Sequence, residues 1–290
     1  MFRHISIIGV GLVGGSLGLA LKRAGLEGRI VGCDRKEVLE GARKRGAIDE
    51  GLPDLSQALA GADLVILGAP VCVIVDLLYK IKDAVSPSAL VTDVGSTKGV
   101  ICKRAREALP DGPLFLGGHP LAGSEQSGFE HADAALFDGT HYLLTPHSPD
   151  DLSDARVKAF SELIHKIGAT PFVTDSRTHD RAMALLSHLP QLLSTGLAGL
   201  VSERSEGDFL PLEMAAAGFR DMTRLAESPY SVWRDICLTN TENLRDVLDL
   251  MIHKLESLKH NLSARELERD FGVAHGLRNK LNRSQPAGDN

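Results

Sequence analysis

From residue 3 to about 175, short runs of apolar and β-branched residues alternate with segments of helical periodicity. This alternation is typical of βαβ units, in which helices join parallel strands. Several runs are apolar at nearly every position, as strands covered on both faces must be. The predicted strands are residues 4–8, 29–33, 64–67, 89–92, 114–116 and 142–144, and the predicted helices are 17–23, 36–45, 72–84 and 100–109. The pattern predicts an α/β domain with a doubly wound parallel sheet.

The character of the chain changes near residue 175, where strand-like runs stop and helical periodicity continues to about residue 281. Residues 232–258 are amphipathic and contain neither proline nor glycine, which predicts one long helix able to pack against a partner. We therefore predict an α/β domain at 1–175, an all-α domain at 176–281 and a flexible polar tail at 282–290.

Composition excludes several classes of protein. Of 290 residues, 43% are hydrophobic and 24% charged, as in ordinary globular proteins. The net charge of −6 leaves no positive excess to hold nucleic acid. The four cysteines form no C-x-x-C pair, so neither a metal site nor a disulfide framework is predicted. No signal peptide is apparent and no apolar run reaches the length of a bilayer, so we predict a cytoplasmic protein without a membrane partner.

A glycine-rich segment follows the first predicted strand and opens a helix. Residues 9–14 read Gly-Val-Gly-Leu-Val-Gly and match G-x-G-x-x-G. The first glycine permits a tight turn, the second lets a pyrophosphate approach the backbone, and the third lets helix and strand pack closely. This context predicts a Rossmann-type dinucleotide site. Its predicted cofactor-binding residues are Gly9, Gly11, Leu12, Val13, Gly14, Asp34 and Arg35.

The end of the second predicted strand bears on which dinucleotide binds. Asp34 lies 25 residues after Gly9, close to the expected position of the carboxylate that binds the ribose hydroxyls. A negative charge there disfavours a 2′-phosphate, so we predict NAD as the cofactor. Arg35 follows and is able to pair with a 2′-phosphate, which keeps NADP as the less favoured alternative.

Two further segments follow predicted strands, at the edge of the sheet where such folds bind ligands. Ser96 is placed to hydrogen-bond a substrate hydroxyl, although helix capping explains a serine there equally well. Lys98 is interpreted as a solvated residue of the first helical turn. His119 lies between glycines and a proline, which predicts a rigid turn, and titration near neutrality suits a general base.

Several segments occur in one order along nearly the whole chain. They are Gly-Leu-Val-Gly-Gly-Ser at 11–16, Asp-Val-Gly-Ser-Thr-Lys at 93–98, Gly-Gly-His-Pro-Leu-Ala-Gly at 117–123, Ser-His-Leu-Pro at 187–190, and Gly-Phe-Arg-Asp-Met-Thr-Arg at 218–224 followed by Trp-Arg-Asp at 233–235. Together they resemble the prephenate and arogenate dehydrogenases of tyrosine biosynthesis. The resemblance implies NAD-dependent oxidative decarboxylation of prephenate to 4-hydroxyphenylpyruvate, CO2 and NADH. The alternative that it leaves open is arogenate, giving tyrosine, or both substrates.

The resemblance also implies roles for single residues. His119 takes the proton of the ring hydroxyl, Ser96 hydrogen-bonds the same hydroxyl, and Arg224 binds a substrate carboxylate, which a guanidinium matches bidentately. Without the resemblance, a salt bridge to a neighbouring carboxylate explains Arg224 about as well. The further substrate-binding residues implied are Glu125, His188, Gln191 and Trp233. Ordering of the site or its gate is the alternative role for Glu125, His188 and also His179, and packing in the core or an interface is the alternative for Trp233. A homodimer through the C-terminal helices is implied as well.

The chain departs from the family pattern at one position. Many members carry a second histidine after Ser-His-Leu-Pro, whereas this chain has Gln191, which hydrogen-bonds but cannot become cationic. Prephenate and arogenate differ by an ammonium group, so the loss of a positive charge predicts a pocket more tolerant of arogenate.

Two rival hypotheses remain open from the residues. A β-hydroxyacid or 6-phosphogluconate-type dehydrogenase is expected to use a lysine from the helical half, and residues 176–202 contain none. A non-catalytic NAD-sensing module would leave His119, Ser96 and Arg224 without a role.

Overall fold

The computed structural model describes residues 2–110, 112–122, 126–205 and 212–284. In these residues one sheet has the strand order β3-β2-β1-β4-β5-β6-β7-β8. The strands are β1 His4–Ile8, β2 Arg29–Cys33, β3 Glu50–Gly51, β4 Leu64–Leu67, β5 Leu90–Asp93, β6 Leu114–Pro120, β7 His141–Thr145 and β8 Thr170–Val173. The pairs from β3 to β6 are parallel, β7 is antiparallel to β6, and β8 is parallel to β7. The prediction of a doubly wound parallel sheet is confirmed, with the correction that β7 is antiparallel to β6.

Helices join the strands and continue beyond them. They are α1 Leu12–Arg23, α2 Lys36–Lys44, α3 Leu55–Leu59, α4 Val71–Ile81, α5 Gly99–Ala108, α6 Ala155–Lys166, α7 Ser176–Met183, α8 Leu189–Ser205, α9 Ala217–Thr223, α10 Tyr230–Thr239, α11 Thr241–His260 and α12 Arg265–Ser284. Shorter helical turns occur at Ala184–His188 and Arg224–Glu227. The helices predicted among the strands are all present, with ends displaced by a few residues. The strands end at β8, as the change of pattern near residue 175 predicts.

The sheet is covered on both faces, which explains its continuously apolar strands. Ile5 and Ile7 in β1 belong to a core cluster with residues of α1 and α6, while Ile8 belongs to a second cluster with residues of α4 and α5. Neighbouring residues of a strand point to opposite faces, so both sets must be apolar. Burial of each such side chain contributes roughly 1.5–3 kcal/mol before losses of conformational entropy are counted.

Two buried carboxylates from the helical half cap helices of the sheet domain. Asp180 in α7 accepts hydrogen bonds from the backbone N–H groups of Lys98 (2.7 Å) and Gly99 (2.8 Å), where α5 begins. Asp235 in α10 accepts from the N–H of Cys72 (3.0 Å), in the first turn of α4. Negative charge at a helix N-terminus is favourable because the unpaired N–H groups there carry partial positive charge. These bonds attach α7 and α10 to the carboxyl edge of the sheet.

The contacts between residues divide the chain into two compact units, residues 1–241 and residues 242–290. Helices α7 to α10 therefore belong to the same unit as the sheet, and α7 and α10 are hydrogen-bonded to its helices directly. The domain boundary near residue 175 stays a prediction. Helix α12 extends to Ser284, and residues 285–290 of the predicted tail lie outside the described residues.

The prediction of one long helix over residues 232–258 is wrong. Helix α10 ends at Thr239 and α11 begins at Thr241. Between them, Asn240 has φ −126° and ψ 27°, and its buried side-chain amide donates to the backbone oxygen of Asp180 at 2.9 Å. A long-range hydrogen bond thus stabilises a helix break that the sequence does not predict, because no proline or glycine lies there.

The helical run Ser176–Ser205 contains an irregular turn. Residues Ala184–His188 form a π-helical turn just before Pro190 in α8. Proline has no N–H to donate to the preceding turn, and a π turn is one way in which a helix accommodates this loss. The turn ends at His188, which is buried.

Among the described residues, this same run of 30 residues is long and apolar enough to cross a membrane by length and composition. The prediction that no apolar run reaches the length of a bilayer is therefore wrong for this segment. A helix that packs inside a protein or between subunits meets the same criterion, so the finding does not by itself indicate a membrane protein.

The second unit contains most of α11 together with α12. Lys254 in α11 forms an ion pair with Asp270 in α12. Large apolar side chains are exposed along both helices, among them Leu250, Leu255, Phe271 and Leu277.

Candidate active site

The glycine-rich loop has the close contacts that its pattern predicts. Gly9 has φ +96°, and a Cβ there would lie 2.6 Å from the backbone oxygen of Gly68, which follows the neighbouring strand β4. A Cβ at Gly14 would lie 2.0 Å from the oxygen of Gly9, so the loop and α1 could not pack. At Gly11, by contrast, a Cβ would meet nothing within 4 Å. The loop is therefore tight on its protein side and open where a pyrophosphate must approach.

The first turn of α1 faces the same open space. Helix α1 begins at Leu12, and Gly11 before it has no side chain with which to cap the helix. Leu12 and Val13 are half-buried. Backbone N–H groups of a first turn have no partner within the helix and are available to phosphate oxygens.

Asp34 connects the second strand to the glycine-rich loop. Its half-buried carboxylate accepts a hydrogen bond from the N–H of Val10 at 2.8 Å and another from the N–H of Arg35 at 2.7 Å. The negative charge is therefore held at the loop, as ribose binding requires, while the Arg35 side chain is exposed. These residues fit a dinucleotide whose adenosine ribose has free hydroxyls.

A buried ion pair lies between this loop and the candidate catalytic strand. Lys98 and Asp93 are both completely buried, and the ammonium of Lys98 contacts the carboxylate of Asp93. The same ammonium donates to the backbone oxygen of Gly118 at 2.7 Å, and Asp93 accepts from the N–H of Gly118 at 3.1 Å. The interpretation of Lys98 as a solvated residue is wrong. Its pairing fixes the backbone of β6 one residue before His119.

The alternative role of Ser96 as a helix cap is also wrong. Helix α5 begins at Gly99 with no hydrogen bond from a side chain of its own N-terminal residue, and Asp180 supplies the capping oxygens. Ser96 is half-buried, and its neighbour Thr97 shares a hydrogen bond with Thr239 of α10 at 2.8 Å.

His119 lies within β6, paired with Leu143 of β7, and not on the predicted turn. Its ring is half-buried, and Nδ1 lies 2.9 Å from Nε2 of His179. The buried His179 ring in turn places Nδ1 2.8 Å from Oδ1 of Asp180. Sheet pairing thus holds His119 at one end of a His119–His179–Asp180 chain.

The bonding pattern assigns the protons of this chain. A carboxylate only accepts, so Nδ1 of His179 donates to Asp180, and Nε2 of His179 then accepts from Nδ1–H of His119. In its neutral form His119 therefore has its lone pair on Nε2, directed away from His179. A neutral imidazole with a free lone pair is the form that accepts a proton.

The pKa of His119 is lowered well below 6.5. Burial is the main cause, because the surrounding protein cannot solvate an imidazolium, and the nearby His179, Lys98 and His188 lower the pKa further. The expectation that His119 titrates near neutrality is therefore wrong. The lowered pKa favours the neutral ring, which is the form that accepts a proton.

His188 lies at the end of the π-helical turn and contacts Trp233. The two rings meet edge to face with their centroids 5.8 Å apart, and Nδ1 of His188 lies 3.3 Å from the side-chain nitrogen of Asn240. Burial lowers the pKa of His188 to about 4, so this ring is neutral at physiological pH. Neither His188 nor Gln191 supplies a positive charge here. The half-buried Trp233 ring packs beside His188.

Gln191 is linked to the segment of Arg224 by a hydrogen bond to the backbone of the next residue. The side-chain nitrogen of Gln191 in α8 donates to the oxygen of Leu225 at 2.7 Å, one residue after Arg224. The side chain of Arg224 is exposed, as expected of a group that binds an anion from solution.

The structure adds residues that the sequence did not single out. The local pattern does not predict the buried roles of Asp180, Asp93 and Lys98, because these roles depend on long-range partners. The adjacent histidine and aspartate at 179 and 180 were a usable signal. Glu125 lies outside the described residues. In the part of the chain that the structure describes, no group of three or more His, Cys, Asp or Glu side chains is arranged to hold a metal ion.

Comparison with known proteins gives a consistent result over the whole chain. The family models described as the nucleotide-binding domain and the dimerization domain of prephenate dehydrogenase match residues 17–173 and 175–274. A prephenate dehydrogenase of Lactococcus lactis subsp. cremoris is 34% identical over 90% of this chain and 69% of its own length. A cyclohexadienyl dehydrogenase of Zymomonas mobilis is 32% identical over 92% of this chain and 90% of its own. The crystal structure of prephenate dehydrogenase from Aquifex aeolicus in complex with hydroxyphenyl propionate and NAD+ matches with a TM-score of 0.83 and 31% identity, over 98% of both chains.

Proposed function

Since this chain belongs to the prephenate and arogenate dehydrogenase family, we propose that it converts prephenate to 4-hydroxyphenylpyruvate and CO2 with His119 as the base. The chain is an NAD-dependent oxidoreductase. The observation that carries the proposed role of His119 is its neutral ring, with a lone pair on Nε2, at the carboxyl edge of a dinucleotide-binding sheet.

NAD, when bound, accepts the hydride that leaves ring C4 of the substrate. The open space at Gly11 and the first turn of α1 are suited to its pyrophosphate, and the carboxylate of Asp34 to its ribose hydroxyls. The same carboxylate repels a 2′-phosphate, which supports NAD over NADP.

His119 takes the proton of the ring hydroxyl through Nε2 as the hydroxyl becomes a carbonyl. The bond to the ring carboxylate breaks, CO2 leaves, and the electron pair of that bond makes the ring aromatic. Because the ring oxygen then needs a proton to become a phenol, His119 returns the one it took. Charge and atoms balance without an external acid.

His179 and Asp180 orient the base. The hydrogen bond from Nδ1–H of His119 to His179, whose own Nδ1–H is held by Asp180, fixes the ring and directs Nε2 towards the substrate. We assign them as positioning residues, because they act on the substrate through His119.

The substrate side of the site is proposed from the family resemblance together with the geometry. Arg224 binds a carboxylate of the substrate, and Ser96 hydrogen-bonds the ring hydroxyl. His188, Trp233 and Glu125 complete the proposed substrate-binding set, and Gln191 contributes through the segment that carries Arg224.

One observation favours arogenate as a second substrate. His188 and Gln191 are both neutral at physiological pH, so neither repels the ammonium group that distinguishes arogenate from prephenate. We therefore propose that the pocket accepts either side chain.

The proposal extends to assembly and location. Exposed apolar side chains on α11 and α12 support a homodimer through the C-terminal helices, in the region matched by the dimerization domain. We propose a cytoplasmic enzyme.

The test is the appearance of NADH absorbance when purified protein receives NAD with prephenate, and separately with arogenate. Turnover of both substrates is expected, with NADP much less effective than NAD. Turnover of prephenate alone would refute the argument for arogenate, and silence with both substrates under either cofactor would refute the proposed reaction.

A further inference from the structure

Gln191 is bonded to the segment that carries Arg224. Its side chain is buried, with 4% of the residue exposed, and Nε2 donates to the backbone oxygen of Leu225 at 2.7 Å. A longer bond, 3.3 Å, joins the same nitrogen to Thr195 one turn further along α8. Leu225 is the second residue of the short helical turn Arg224–Glu227, directly after Arg224.

The turn that begins at Arg224 has limited support from its own chain. Helix α9 before it has seven residues, and Thr223, which precedes the turn, makes no capping hydrogen bond through its side chain. Within the turn, the oxygen of Leu225 accepts from the N–H of Ser228 at 3.1 Å. A carbonyl oxygen has two lone pairs, so the bond from Gln191 adds to this one without replacing it. Helix α8 thereby anchors the backbone beside Arg224.

We infer that Gln191 is a positioning residue for Arg224: its amide holds the turn so that the guanidinium faces the substrate carboxylate. This inference rests on the role proposed for Arg224 above. A side chain that is 4% exposed presents little surface to a ligand, and its amide nitrogen already has a backbone acceptor. Direct binding of the substrate by Gln191 is thus less compatible with the geometry than binding through Arg224.

The chemistry of the side chain suits this task. Two parallel hydrogen bonds between a guanidinium and a carboxylate require close alignment, and small displacements of a binding group weaken binding steeply. The amide of glutamine is a donor at every pH, whereas a histidine at the same position would change its donors on titration. The glutamine therefore makes the placement of Arg224 independent of pH.

The first measurement is steady-state kinetics of Gln191→Met, which keeps the length of the side chain and removes the N–H donor. The KM for prephenate is expected to rise about tenfold, as displaced binding groups produce, with kcat and the Kd for NAD within twofold of wild type. Ser194→Ala, a buried substitution on the same helix, is the matched control and is expected to leave KM unchanged. Gln191→Glu loses the same donor with the same shape and is expected to repeat the effect if the methionine variant folds poorly.

A double-mutant cycle separates positioning from direct contact. If Gln191 acts through Arg224, Gln191→Met adds nothing to the KM of Arg224→Ala, whereas independent contacts would multiply. A raised KM in Arg224→Ala with no change in either Gln191 variant overturns this inference alone, as do multiplicative effects. An unchanged KM in Arg224→Ala overturns the proposed role of Arg224, and the inference with it.

Discussion

The protonation of His119 depends on three neighbours that lie far away in sequence or look unremarkable in it. Burial and the cation of Lys98 keep the ring neutral, while His179 and Asp180 assign its proton to Nδ1. The pKa is lowered by the same surroundings that orient the lone pair. A base with this arrangement is in its proton-accepting form before the substrate binds.

Replacing the base tests its assignment directly. His119→Asn keeps a polar side chain but cannot accept the proton, so kcat is expected to fall by about 10²–10⁴, the range for general base catalysis. Binding of NAD and of prephenate, measured by fluorescence titration, should stay within a few-fold of wild type. Largely retained turnover would remove His119 from the mechanism.

The pH dependence tests the surroundings of the base. Since the pKa of His119 is lowered, its neutral form persists as pH falls, and the acid limb of kcat/KM for prephenate should lie well below pH 6.5. His179→Asn removes one of the groups that lower this pKa, so the limb is expected to move to higher pH while kcat decreases. The profile of the exposed variant His165→Asn serves as the control and should match wild type.

At the scale of elements, some glycines of the glycine-rich loop are required for packing and another for cofactor binding. Gly9 and Gly14 are needed because loop, strand and α1 approach too closely for a Cβ, whereas Gly11 faces open space. Similarly, the break at Asn240 and the π turn before Pro190 place buried groups at the ends of helices. Irregular points in these helices coincide with the candidate site.

Gly11→Ala is expected to fold normally yet bind NAD at least tenfold more weakly, because the new methyl occupies the space of the pyrophosphate. Gly14→Ala should lose thermal stability as well, since its Cβ would meet the oxygen of Gly9. Gly196→Ala in α8 also has open space around the added carbon and serves as the control, with unchanged Kd. Calorimetric titration with NAD and thermal unfolding measure both quantities. Normal NAD affinity in Gly11→Ala would refute the proposed path of the pyrophosphate.

At the scale of the whole molecule, burial of His188 couples stability to acid. Its pKa is about 4 in the folded protein and near 6.5 in the unfolded chain, so the unfolded state binds more protons between these values. The free energy of unfolding should therefore fall by about 3 kcal/mol between pH 7 and pH 4 through this group alone.

His188→Gln cannot titrate and should lack this part of the acid destabilisation in urea unfolding curves measured at pH 7, 5.5 and 4. The exposed substitution His165→Gln should leave the wild-type dependence unchanged. Equal acid sensitivity in His188→Gln and wild type would contradict the assignment.

Assembly is also a property of the whole molecule. A charge on the exposed apolar side chain of Leu277 is expected to dissociate the proposed dimer, because it would be buried without a partner. Sedimentation of Leu277→Glu should give a monomer, and Asn279→Glu, which adds the same charge two residues away on α12, should stay dimeric. A Leu277→Glu dimer as tight as wild type would place the interface elsewhere.

The sequence by itself determined the alternation of six strands with the helices between them, the dinucleotide loop and the candidate base. Each depends on local pattern: strands buried on both faces must be apolar throughout, and a close approach of backbones admits only glycine. The Gly-Gly-His-Pro segment likewise pointed to His119 because of its immediate neighbours. These features survive in a linear chain because the residues that cause them are adjacent.

Only the tertiary structure decided how the base is held and charged. His119 and His179 are sixty positions apart in the sequence and form a hydrogen bond. Lys98 is buried against Asp93 and the backbone of Gly118, which lie in two different strands. Asn240 lies at the break between two helices, where its side chain bonds to the backbone of Asp180. A pKa depends on the water and charges that remain around a group after folding. No local pattern records them, since packing brings them together from four separate segments of the chain.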